Sequence, residues 1–243
     1  MTSIQTEAER RLIVALDFPD AGEACEFWQR LALPHAVAKI GLELLMAEGG
    51  VEMVRRLAAS GASVFVDAKL FDIANTVERA TARIADHGAA FLTIHAQDRQ
   101  TVDAAVRGRT GCPLKLLGIT LLTNARAEDL DAQGIALSSQ DLVVRRAAFA
   151  ADAGFHGVVS SAWEAPGLKA RFGERLAVVC PGIRPAAGET ISGDDQARTA
   201  TPGEALRAGA DYIVVGRPIT RAADPAAAAR AIIAEMAATL PNG

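Results

Sequence analysis

The strongest constraint in this chain is a rhythm in which a short β-branched run is followed by an alanine-rich stretch of helical periodicity, eight times over. The candidate strands are Leu12–Leu16 (LIVAL), Ala36–Ile40 (AVAKI), Ser63–Ala68 (SVFVDA), Ala90–His95 (AFLTIH), Lys115–Leu121 (KLLGITL), Gly157–Ser160 (GVVS), Leu176–Cys180 (LAVVC) and Tyr212–Val215 (YIVV). Amphipathic helical stretches stand between them, for example Ala21–Leu33, Gly50–Ala59, Thr76–His87 and Pro202–Ala208. Strands that alternate with helices in this way build parallel sheets, and eight repeats predict a single (β/α)8, or TIM, barrel. Gly61, Gly88, Gly154 and Gly209 each fall just before a strand and read as helix C-caps. The rival architecture, an open dinucleotide-binding sheet, calls for a glycine-rich turn after the first strand. Asp17-Phe18-Pro19-Asp20 stands there instead.

Half of the 243 residues are hydrophobic and 22% are charged, which is enough apolar material for one large core. No linker or composition shift divides the chain, so one domain over 1–243 is expected, with residues 1–10 as a polar N-terminal extension. A net charge of −4 gives no basic patch and argues against nucleic acid as a partner. It leaves room for an anionic small molecule held by a few local Lys or Arg side chains. Cys25, Cys112 and Cys180 are widely spaced and form no metal-ligand motif, as expected of thiols in a reducing compartment. Met1–Arg10 lacks an apolar signal core, and no apolar run approaches the ~20 residues of a membrane helix. A soluble, cytoplasmic protein without a membrane partner is expected.

In such a barrel the chemistry lies at the C-terminal strand ends, and the charged residues of this chain collect there. Asp17 ends the first strand, Lys39 lies near the end of the second, Asp67 and Lys69 close the third, and His95 ends the fourth. Charges inside runs as apolar as VFVDAKL are costly unless paired or functional. On a regular strand Asp67 and Lys69 would share one face at ~6.6 Å spacing, with Phe65 below them. Asp72 follows as the chain leaves the strand, and Lys39 can complete an alternating Lys–Asp–Lys–Asp array. A purely structural salt-bridge network is the alternative. Asp17 could instead cap the next helix, and His95 is open between a structural histidine and a site member. Arg184 and Arg217 occupy the loops after strands seven and eight, where barrels of this kind build phosphate sites, and arginine suits bidentate phosphate contacts. Cys180 has no neighbouring base in sequence to make it a nucleophile.

The segment Asp67-Ala68-Lys69-Leu70-Phe71-Asp72-Ile73-Ala74-Asn75-Thr76 resembles the DxKxxDIxNT signature of the orotidine 5'-monophosphate (OMP) decarboxylase family. Supporting matches span nearly the whole chain: VALD at 14–17, KIG at 39–41, TLLT at 120–123, PGIR at 181–184, the region of Gln196, TP at 201–202 and VVGRPI at 214–219. The resemblance implies cofactor-free, metal-free decarboxylation of OMP to UMP, the last step of pyrimidine nucleotide synthesis. Lys69 would be the proton donor to C6 of the pyrimidine, with Asp67, Lys39 and Asp72 completing the charged network. Asp72 and Thr76 would reach into the partner's site across a homodimer interface. Asp17 and Lys39 would hold the ribose hydroxyls, and Thr123 would line the pyrimidine end. Arg217 and the Gly216 backbone would bind phosphate, while Arg184 and Gln196 would sit on the loop that closes over it. Many family members carry Ser where Asn124 follows Thr123, and the stretch 125–134 matches no family pattern, so base contacts from that loop stay open.

Two rivals define what must be distinguished. Mg²⁺-dependent sugar-phosphate enzymes of the same superfamily share DxKxxD but place Glu where Lys39 stands, and the lysine argues against them. A non-catalytic phosphate-binding barrel is opposed by intact Lys69, Asp67 and Asp72.

Overall fold

A computed structural model describes residues 2–185 and 199–241. Eight parallel strands close a barrel in sequential order. They are β1 (Leu12–Ala15), β2 (Val37–Gly41), β3 (Ser63–Leu70), β4 (Phe91–His95), β5 (Lys115–Ile119), β6 (Gly157–Val159), β7 (Ala177–Cys180) and β8 (Tyr212–Val215). Each falls within a residue or two of its expected place, because a run that is β-branched and buried on both faces has few other stable settings.

Alternation along the strands sorts the apolar residues into two sets. Ile13, Ala15, Val37, Phe65, Phe91, Leu117, Val179 and Val214 point inward and fill the barrel. Their neighbours, among them Val14, Ala38, Val64, Val66, Leu92, Ile94 and Val178, point outward and pack against the surrounding helices. The barrel interior is therefore a packed floor, and polar side chains placed one layer above it stand at the C-terminal mouth.

The helices are capped as their sequences suggest. Asp20 caps helix Ala21–Leu31 by accepting the Glu23 amide at 2.8 Å, and Thr201 with Glu204 forms a capping box on helix Pro202–Arg207. Gly61, Gly88, Gly154 and Gly209 all adopt positive φ, which turns the chain out of a helix and into the next strand. Residues that read as a polar extension are helical: Ser3–Arg10 carries a Thr2–Gln5 capping box and packs on the last helix, Pro225–Thr239. Among the described residues no helix is long and apolar enough to cross a membrane.

Candidate active site

The end of β3 departs from the regular strand that its sequence suggests. Pairing with β4 runs Phe65–Phe91 and Val66–Leu92, then jumps to Leu70–Ile94, so four steps on β3 match two on β4. Lys69 absorbs the excess in a left-handed conformation with φ of 47°. For a residue with a Cβ this costs about 1–2 kcal/mol, and such strain persists only where its surroundings enforce it. The bulge replaces strict alternation, yet Lys69 and Asp67 still line one cavity, with Lys69 Nζ 2.7 Å from Asp67 Oδ2.

Lys39 of β2 approaches the same oxygen at 3.6 Å and reaches Asp17 Oδ1 at 3.3 Å. The chain of charges is thus Asp17–Lys39–Asp67–Lys69, drawn from three adjacent strand ends. Burial alone would raise the Asp67 carboxyl, but the two ammoniums and the hydrogen bonds from Lys69 and Thr93 overcome it and hold the group below its ordinary value. Asp67 is therefore a carboxylate at neutral pH. Asp17 does not cap the following helix, since Asp20 does, and its carboxylate faces the cavity. Gly41 makes room for this pairing: a Cβ there would lie 3.1 Å from both Asp17 Oδ1 and Lys39 Nζ.

The cavity holds about 670 Å³, a size suited to a nucleotide, and extends from the Lys39–Asp67–Lys69 floor to the loops after β7 and β8. Thr123 lines it together with Leu121 and Leu122, as do Pro181, Gly182, Arg184, Gly216 and Arg217 from the segments after β7 and β8. Beneath Thr123, the buried Arg146 donates to the Thr120 carbonyl at 2.7 Å and anchors the start of that loop. Arg184 bonds back onto its own segment, through Nη1 to the Ile183 carbonyl and through its amide to the Ala200 carbonyl. Gln196 lies outside the described residues.

Asp72 and Thr76 do not line this cavity within the described chain. Both are exposed, and Asp72 borders a separate depression on the outer surface with Phe71, Ile73 and Arg99. The four-charge array read from sequence is therefore closed in one chain by Asp17 rather than Asp72. His95 also stays out of the cavity lining. Its ring packs on Phe71, and its Nδ1 lies 3.3 Å from Gln97 Nε2. Burial, then the charges of Arg146 and Lys69, push the His95 imidazole below its ordinary value, which keeps it neutral at neutral pH. Burial pushes the Cys180 thiol far up, in keeping with an inert core residue.

Sequence reasoning missed Thr93, Glu43 and Arg221. Glu43 and Arg221 border the cavity from the segments after β2 and β8. Thr93 is fully buried and hydrogen-bonds both to Asp67 and to the Lys69 backbone. No local signal marks it, since a threonine is an ordinary strand residue.

An eight-stranded parallel barrel whose nucleotide-sized cavity is lined by paired lysines and carboxylates and by arginines defines a barrel enzyme with a site suited to an anionic small molecule. The chain belongs to the orotidine 5'-phosphate decarboxylase / HUMPS family, whose model matches residues 10–232. It is 48% identical over 237 residues to the orotidine 5'-phosphate decarboxylase of Afipia carboxidovorans, covering 98% of this chain and 99% of that one. It is 49% identical over 230 residues to the protein of the same name from a Methylobacterium species, covering 93% and 95%. The crystal structure of orotidine 5'-phosphate decarboxylase from Lactobacillus acidophilus superposes with a TM-score of 0.82 at 34% identity, over 93% of this chain and 99% of that one.

Proposed function

We propose that this protein is a cytoplasmic enzyme of UMP synthesis that decarboxylates OMP to UMP and CO2 without metal or organic cofactor. One observation carries the reading: the Lys39–Asp67–Lys69 chain lines the same cavity as Arg184 and Arg217, which stand after β7 and β8. That combination suits a ligand that brings a reacting carbon to the lysines and a phosphate to the arginines. In the reaction the bond from C6 to the carboxylate breaks, CO2 leaves, and the electron pair stays on C6 in an sp² orbital that the ring cannot delocalise. Lys69 Nζ, beside C6, stabilises that pair electrostatically and then donates its proton to it. Asp67 Oδ2, 2.7 Å away, aims the ammonium. Asp17 and Lys39 hold the ribose hydroxyls, Thr123 meets the pyrimidine, and the phosphate binds Arg217 and the Gly216 backbone. Arg184 and Gln196 close over it, so that binding energy remote from C6 orders the site.

Lys39 also supports a metal-free reaction. Its ammonium lies between Asp17 and Asp67, the position a divalent cation would need in order to bridge those carboxylates. The deciding assay follows the fall of orotate absorbance on adding OMP to protein dialysed against EDTA. Full activity is expected. Activity that is lost on chelation and restored by Mg²⁺ would assign the chain to the metal-dependent branch.

The same reading makes the enzyme an isologous homodimer in which Asp72 and Thr76 complete the partner's site. Its support is that both residues are exposed outside their own chain's cavity, and that Phe71 and Ile73 beside Asp72 are large apolar groups left 55% and 73% exposed. Lys69→Ala and Asp72→Ala homodimers should each be nearly inactive. Equal mixing with subunit exchange makes about half the dimers hybrids, each with one intact site, so about one quarter of wild-type activity should return. No recovery, with exchange verified by mass-tagged chains, would refute a shared site.

A further inference from the structure

Thr93 occupies the inward position on β4 directly above Phe91, one layer below the cavity, and none of its surface reaches solvent. Its hydroxyl accepts the Lys69 amide at 2.9 Å and donates to Asp67 Oδ1 at 2.9 Å. Lys69 lies inside the register jump between Val66 and Leu70, where the regular β3–β4 ladder is interrupted, and its amide is satisfied by this hydroxyl. An oxygen that accepts from an N–H sends its own proton elsewhere, and here that proton goes to the carboxylate. With Oδ1 occupied, Oδ2 is the oxygen that faces both ammoniums, Lys69 at 2.7 Å and Lys39 at 3.6 Å.

We infer that Thr93 is a positioning residue: its hydroxyl holds Lys69 in the left-handed backbone conformation and fixes the Asp67 carboxylate so that Oδ2 aims the Lys69 ammonium. β-Branching makes threonine the apt carrier, since its stiff χ1 on a strand leaves the hydroxyl one direction. The inference rests on the proposed role of Lys69 as proton donor, and it assigns no contact between Thr93 and substrate.

Thr93→Val keeps the shape and removes both hydrogen bonds; Thr93→Ser keeps the hydroxyl. With OMP as substrate, Thr93→Val should lower kcat by about 10- to 100-fold, the scale of a misplaced catalytic group, with KM and the Kd for UMP changed less than about threefold. Thr93→Ser should return kcat to within about fivefold of wild type, since the hydrogen-bonding group is restored. Deuterium exchange at the Lys69 amide should quicken in Thr93→Val and not in Thr93→Ser, a local readout that a general loss of stability does not mimic. Should Thr93→Val fail to fold, Thr93→Cys, a similar volume with a poor donor, carries the comparison and should show the same loss in kcat. Wild-type kcat in the hydroxyl-free variant, or equal damage from valine and serine, would overturn the inference. A Lys69→Ala variant assayed in parallel separates the two claims. If it keeps decarboxylating OMP, the reading of Lys69 fails; if it is inactive while Thr93→Val is unimpaired, only the role of Thr93 fails.

Discussion

Lys69→Ala is expected to lower kcat for OMP by at least about 10⁴-fold while UMP still binds. The ammonium has two tasks in the proposed reaction, stabilising the electron pair on C6 and protonating it. A preorganised charge contributes roughly 10²–10³-fold and a positioned general acid roughly 10²–10⁴-fold, so losing both together gives ~10⁴ or more. Alanine is the informative replacement because it keeps a Cβ at a φ of 47°, so the backbone strain is carried over and the ammonium alone is removed. Asp67 retains Lys39 at 3.6 Å as a counter-charge, which keeps the carboxylate from being buried without a partner. Steady-state turnover with OMP and calorimetric titration with UMP test this directly. A kcat within tenfold of wild type would require another proton donor.

Arg217→Ala should act in a different parameter. Arg217 opens the short helix Arg217–Thr220 after β8 and lines the same cavity as Lys69. A lost charge-assisted contact to phosphate costs ~1.5–3 kcal/mol, and the closure that phosphate binding drives adds to it. We expect kcat/KM for OMP to fall by about 10²- to 10⁴-fold on that basis. Orotidine, which lacks the phosphate, should be turned over almost equally by wild type and variant. The contrast between the two substrates is the measurement that matters: equal losses would show that Arg217 supports the loop instead of binding the ligand.

These two residues were legible in the sequence for different reasons. Arg217 follows an apolar strand at a fixed distance, so counting strands places it in the last loop of the barrel. Lys69 stands out because a charge in the run SVFVDAKL violates the burial of its neighbours. The spacing of Asp67 and Lys69 gave the right pair through an incomplete geometry, since regular alternation at that point gives way to a bulge. Thr93 illustrates the opposite case. Nothing local marks a threonine in a strand as important, because threonine is an ordinary strand residue.

Strand and helix positions, the glycine turns, the inward and outward faces and the closed parallel barrel could all be read from residues near one another along the chain. Those features follow from periodicity and burial, which act over a few residues. Which oxygens and ammoniums meet was settled in three dimensions. The jump in β3–β4 register, the left-handed Lys69, the hydroxyl of Thr93 between Asp67 Oδ1 and the Lys69 amide, and Asp17 rather than Asp72 beside Lys39 all depend on pairing between strands. Strand register is fixed by how all eight strands close together around one packed interior, and no short stretch of sequence carries that information.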